Sequence, residues 1–186
     1  MMSMQLIAEP LVEPVTLDEA KLFLRIDTLD DDALLANMIM ASRRVIELTT
    51  RTCLLQQTWR FGVDRWPSNT LLRLPLAPLQ SVSSVTVMDA RGNRLAQNVL
   101  DFLANPTSVP PTVMAKTVPP VSAAREGGIQ IDAVLGYGST AALVPQPLRM
   151  AVLMVLAQYY ETRGQGDGTL PAAVRTLIAP FTGRAL

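Results

Sequence analysis

The chain has 186 residues, 49% of them hydrophobic, and its 16 basic residues are balanced by 16 acidic ones. That length buries roughly 70% of the unfolded surface, enough for one compact domain with or without a sizeable insertion. The missing basic excess argues against a general grip on nucleic acid, the missing histidine removes the commonest general base and metal ligand, and a single cysteine, Cys53, allows neither an internal disulfide nor a multi-cysteine metal site.

Residues 1–14 carry Pro10 and Pro14, show no clear period, and read as an extended N-terminal arm without the basic start of a secretory leader. Helix one follows: Thr16 is a good N-cap, Glu19 three residues later completes a capping box, and the apolar contacts run to about Arg25. Helix two has Asp30, Asp31 and Asp32 at its start. Leu34, Met38, Ala41, Val45 and Leu48 recur at spacings of three and four, Leu35, Ile39 and Ile46 widen the stripe, and Arg43, Arg44, Glu47 and Arg51 lie largely off it.

From Gln56 the period changes to two. Trp59, Phe61 and Val63 predict a strand, Leu72 and Leu74 a second, Val85 and Val87 a third, and Asp89 to Asn93 a turn. Residues 94–104 are ambiguous. Prolines mark residues 105–125 as a long irregular loop. Ile129, Ile131 and Ala133 form another strand leading into Gly136-Tyr137-Gly138. Pro147 fits the first turn of helix three, whose apolar run from Met150 to Ala157 is far shorter than the roughly 20 residues of a membrane span. Gly164 to Gly168 is a flexible break. Pro171 opens helix four and Pro180 ends it, leaving a short tail. The order of helices, strands and helices predicts an α+β fold: a helical core of about four helices (residues 15–55 and 139–179) with a β-rich insertion (56–138) between helices two and three, and a C-terminal tail at 180–186.

The search for chemistry returns bland readings. The Asp30–Asp32 cluster has no second acidic cluster to complete a hard-cation shell and is better read as a helix start favoured by capping and the macrodipole. Gly136 to Thr140 follows a strand but lacks the lysine of a P-loop and the third glycine of a dinucleotide fingerprint, and the next helix begins several residues later. Cys53 has no histidine to activate it and reads as a packed thiol. Trp59 and Trp66, beside Arg60 and Arg65, read as core and strand-end residues before they read as base-stacking platforms. No catalytic, cofactor-binding or metal-binding residues are assigned, and the chain is expected not to be an enzyme.

Several stretches together resemble the head–tail connector (adaptor, head-completion) proteins of tailed phages, in the β-containing form found in phages and gene transfer agents. They are Pro14 to Lys21, Leu24 to Asp27, Asp30 to Asp32, Ala41-Ser42-Arg43 with Glu47, Thr50 and Arg51, and Gln57-Thr58-Trp59. The likeness continues through Leu74 to Leu79, Ser81 to Val85, Asp89 to Gly92 and Gly136-Tyr137-Gly138. It ends with Val144-Pro145, Pro147-Leu148, Ala151, Tyr159-Tyr160-Glu161, Arg163, Pro171, Val174 and Leu177. Residues 105–125 depart from the smallest members.

The resemblance implies a structural protein of the virion or phage-like particle, made in the bacterial cytoplasm and placed at the head–tail junction. It implies a ring, commonly of twelve copies, that joins the portal to a stopper or tail protein and continues a channel through which DNA passes without specific recognition; no membrane or cofactor is implied. Related adaptors dock their C-terminal segment on the portal, which by position points to Leu177, Ile178, Phe181, Arg184 and Leu186. A cyclic ring needs two different faces to meet, and the mixed charges of helix two make Asp30, Asp31, Asp32, Arg43, Arg44 and Arg51 the candidate subunit wall. Two rival readings are a DNA-binding packaging factor, which a steep salt slope would reveal, and a small nucleotide-binding hydrolase built on Gly136–Thr140 or the Asp cluster.

Overall fold

A computed structural model describes residues 2–89, 91–119, 127–163 and 168–182. Their contacts divide into two units: a β unit of residues 2–9 and 56–136, and a helical unit of residues 10–55 and 137–182. The expected α+β class, with a β-rich region between the second and third of four helices, is what the chain forms.

In the helical unit, α1 (Leu17–Leu24) starts on the predicted capping box. The Glu19 N–H donates to Thr16 Oγ1 at 3.1 Å and the Thr16 N–H donates to Glu19 Oε2 at 2.9 Å. This satisfies two of the donors a helix start leaves orphaned. Arg25 closes the helix in the left-handed region, φ 59°. The next helix, α2 (Asp32–Thr50), buries a different stripe from the one read first. Leu35, Ile39, Ser42, Arg43, Ile46, Glu47 and Thr50 face inward, whereas Leu34 and Leu48 are 46% and 76% exposed. The spacing of three and four fits both stripes. The buried stripe includes Arg43 and Glu47, which are paired with each other, so they lie inside the stripe and not off it.

Helix α3 (Gln146–Thr162), with Pro147 in its first turn, lays Leu148, Ala151, Val152, Val155 and Leu156 against Leu35, Ile39 and Ile46 in one cluster. Helix α4 (Ala172–Thr182) adds Val174 and Ile178 to it. It runs through Pro180, where an end was expected. So near the C-terminus a proline removes a single intrahelical bond, and Phe181 packs on the core just beyond it. Of the predicted Gly164–Gly168 break only Gly168 lies within the described residues.

The β unit holds β1 (Met2–Ala8), β2 (Gln57–Val63), β3 (Leu71–Arg73), β4 (Leu79–Met88), β5 (Arg94–Ala96), β6 (Phe102–Asn105), β7 (Thr112–Ala115) and β8 (Ile129–Leu135). One antiparallel sheet has the order β1-β2-β8-β4-β5, and a smaller one the order β3-β7-β6. Alternation puts Ile129, Ile131, Ala133 and Leu135 of β8 on the buried face with Phe61, Val63, Val85 and Val87, and the small sheet contributes Leu72, Phe102, Val113 and Ala115. Trp66 and Phe102 meet at 5.3 Å between ring centroids, tilted by 58°.

Three expectations change here. Residues 2–8, read as an arm, are an edge strand: Ser3 and Gln5 do alternate with Met2, Met4 and Leu6, but Leu6-Ile7-Ala8 breaks the period where the register shifts. The ambiguous stretch 94–104 becomes β5, a 3₁₀ turn at Val99–Asp101 and the start of β6. The proline-marked loop contains β7, whose buried Val113 and Ala115 alternate with Thr112 and Met114 over too few residues to stand out between prolines. Residues 120–125 of that loop lie outside the described residues.

Candidate interaction surfaces

The Asp30–Asp32 cluster is largely consumed by the fold. Asp32 pairs with Lys21 Nζ at 2.7 Å, and Asp31 accepts from the Tyr160 hydroxyl at 2.7 Å, a bond that raises the tyrosine pKa. Asp31 stands at the N-cap of α2 without a side-chain capping bond, and Asp30 is exposed. Among the described residues no group of three acidic or thiol side chains is placed to hold a metal ion.

Arg43 is 1% exposed and lies inside its own subunit. Its Nε and Nη2 donate to Glu13 at 2.7 and 3.2 Å, and its Nη1 donates to Glu47 at 3.0 Å. Burial pulls the guanidinium pKa down, but the bonds and charges of Glu13 and Glu47 outweigh it and hold the group above its ordinary value. Glu47 also accepts from the Leu54 N–H at 2.8 Å. One buried cation thus fixes the segment before α1, the last turns of α2 and the chain leaving it. Of the expected basic wall, Arg44 is half-buried and Arg51 is exposed at the end of α2, in the left-handed region at φ 52°.

At the C-terminal end, Ile178 is 2% exposed and belongs to the core, while Leu177 and Phe181 are half-buried. Arg184 and Leu186 lie outside the described residues. A second anchor ties the front of the unit together: Arg149 Nε donates to the Pro14 carbonyl at 2.8 Å and Nη2 to Glu19. Glu19 is held below the ordinary carboxylate range first by its bond from the Thr16 backbone and then by Arg149.

Gly136 and Gly138, at φ 115° and 156°, turn the chain after β8. A 3₁₀ turn at Ala141–Leu143 separates them from α3, so no helix N-terminus faces them. Any side chain at Gly138 would run into Leu143. Cys53 is buried. Trp66 is 4% exposed and donates to the Thr70 carbonyl at 2.9 Å, which leaves no face for a base. A groove of about 510 Å³ runs along α2 and α3, lined by Met38, Ala41, Val45, Tyr159 and Leu170 among others.

What sequence reasoning missed is apolar and exposed. Leu11, Leu22, Leu29 and Leu48 project from the helical unit, each at least 76% exposed. In the β unit, Met4 on β1 and Leu95 on β5 are each 51% exposed, at the two margins of the large sheet. The outer face of that sheet is polar: Arg60 on β2 donates twice to Asp132 on β8, at 2.7 and 2.8 Å, and Ser84 on β4 adds a third bond at 3.1 Å. These bonds, led by that from Arg60, hold the Asp132 carboxyl below its ordinary value of 3.8. No described helix is long and apolar enough to cross a membrane.

Residues 14–89 match the family model described as phage gp6-like head-tail connector protein. Three solved chains are similar over nearly the full length. One is in the neck of an empty gene transfer agent particle computed with C6 symmetry, at 25% identity and TM-score 0.83, covering 96% of this chain and 94% of that one. Another is in the virion of a native gene transfer agent particle, at 26% identity and TM-score 0.76, covering 94% of each. The third is in the neck of a native particle computed with C12 symmetry, at 25% identity and TM-score 0.75, also covering 94% of each. No curated protein matches. The resemblance to head–tail connectors read from the sequence is borne out by both comparisons.

Proposed function

Proceeding from that likeness to phage gp6-like head–tail connectors, we propose that the chain is a structural connector at the head–tail junction of a phage or phage-like particle. The observation that carries the reading is the match to the gene transfer agent neck chain over 96% of this chain. In this reading copies form a ring, twelve in number as the C12 neck suggests. The ring joins the portal on one side to a stopper or tail protein on the other and lines part of the DNA path. Zero formal net charge suits such a path, since dense phosphate contacts would hold DNA back. Repetition around a ring lets weak contacts per copy add to firm attachment when the geometry allows all to engage.

The portal contact falls to the C-terminal segment, with Leu177, Phe181, Arg184 and Leu186 as its residues and Ile178 as core support behind them. The subunit wall keeps Asp30, Arg44 and Arg51, while Asp31, Asp32 and Arg43 are engaged within the subunit by Tyr160, Lys21 and the pair Glu13 and Glu47. Light scattering with and without purified portal rings tests the reading. Ring-sized mass, or co-elution with the portal, is the expected result; a monomer that ignores portal rings sinks it. Within the ring, Arg51→Glu should lower the assembled mass while leaving the melting temperature in place, and a ring unchanged in mass removes Arg51 from the wall.

A further inference from the structure

The five-stranded sheet ends in two margins, β1 and β5, that no further described strand joins. On one side β1 offers seven residues, Met2–Ala8, with no charge and no proline, and five of them are exposed. Proteins ordinarily blunt such an edge with charges, proline or a covering segment, because its unpaired N–H and C=O groups recruit another strand. The register irregularity of β1 falls at Leu6/Ala8 and leaves Met2–Leu6 regular. On the other side β5 is three exposed residues, Arg94–Ala96. Met4 is level with buried Phe61, and Leu95 with buried Val87, so both lie on the buried face of the sheet where it runs out.

We propose that the β1 margin pairs with the β5 margin of a second copy of this chain, so that the sheets of neighbouring copies join edge to edge around the ring. This rests on the ring reading above. All neighbouring strands in the sheet are antiparallel, so across five strands β1 and β5 run the same way. Joining them makes a parallel pair in which every copy keeps one orientation, the heterologous contact that a cyclic ring needs. Pairing β1 with β1 would instead close a two-fold dimer and end growth. A register with Met4 beside Leu95 covers both half-exposed apolar side chains. It also sets Gln5 beside Ala96 on the polar outer face, since Gln5 is level with Arg60 and Ala96 with Thr86.

The test is a full-length double variant, Gln5→Cys with Ala96→Cys, treated with a short bismaleimide, alongside each single variant. Within one copy β2, β8 and β4 stand between β1 and β5, a separation of about 19 Å at the usual strand spacing, beyond the reagent's reach. Native Cys53 is buried. The expected result is a covalent ladder extending past the dimer in the double variant only. A dimer from Gln5→Cys alone shows two-fold pairing and overturns the proposal. Rings visible by electron microscopy without a ladder overturn it while leaving the connector reading in place; the absence of rings as well overturns both. Independently, Met4→Lys and Leu95→Lys should each abolish ring-sized mass with unchanged circular dichroism, and Met4→Lys combined with Leu95→Glu should restore it. A Met4→Lys protein that still forms full rings counts against the edge.

Discussion

Arg43 shows how much one side chain settles at the residue scale. A buried cation is tolerable only when its partners are in place, and here two carboxylates supply them. Removing the guanidinium takes two hydrogen bonds from Glu13 and one from the buried Glu47, so Arg43→Ala should cost about 3–5 kcal/mol, read as a fall in the urea midpoint. Arg51→Ala, at an exposed position, should stay within about 0.5 kcal/mol. In the sequence the two arginines look alike, eight residues apart on one helix. What separates them is Glu13, thirty residues before Arg43, and no local pattern could announce that partnership. Asp132 supplies a pH prediction of the same kind. Its carboxyl is depressed in the folded chain, so its stabilisation is present above the ordinary value of 3.8 and is lost as pH falls through the lower folded value. Melting temperature should therefore drop below about pH 4, and Asp132→Asn should flatten that drop while lowering stability at neutral pH.

At the scale of elements, the most legible feature was the start of α1. Thr16 and Glu19 form the predicted reciprocal bonds, and Thr16→Ala should cost about 1 kcal/mol in the denaturant midpoint, with Thr16→Ser close to neutral. Strands β2 and β8 were equally plain because each sets aliphatic or aromatic residues on one face for several residues in succession, whereas of β4 (Leu79–Met88) only the Val85–Val87 end was legible, since register shifts at Leu79/Ser81 and Val82/Ser84 break its alternation. The misread elements failed for physical reasons. The α2 stripe carries apolar residues on two adjacent faces, and periodicity does not say which of them meets α3 and α4. Strand β7 is four residues long and hemmed by prolines, and β1 loses its alternation at a bulge. Gly138 was legible as a turn glycine, and the structure adds the reason: its φ of 156° is one that residues with a side chain rarely adopt, so Gly138→Ala should cost about 1–3 kcal/mol, which thermal unfolding would measure.

On the scale of the whole molecule, the order of elements was enough to place a β-rich region within a helical frame, because each half of the helical unit has an apolar stripe that only the other half can cover. The surfaces were not legible. Leu48 has the spacing of a core residue and is exposed, Arg43 lies off the apolar spacing and is core, and the margins of the large sheet appear only once β1 is known to join it. Periodicity reports which residues are apolar, and it is silent on which apolar residues the fold leaves for another chain.

The first and last strands of the inserted stretch, β2 and β8, are direct neighbours, with Gln57 opposite Leu135. The two ends of the stretch between those residues therefore lie side by side, about 5 Å apart. An engineer who exchanges the insert would match that one pair of ends and would also have to replace β1, which joins the same sheet from outside the inserted stretch.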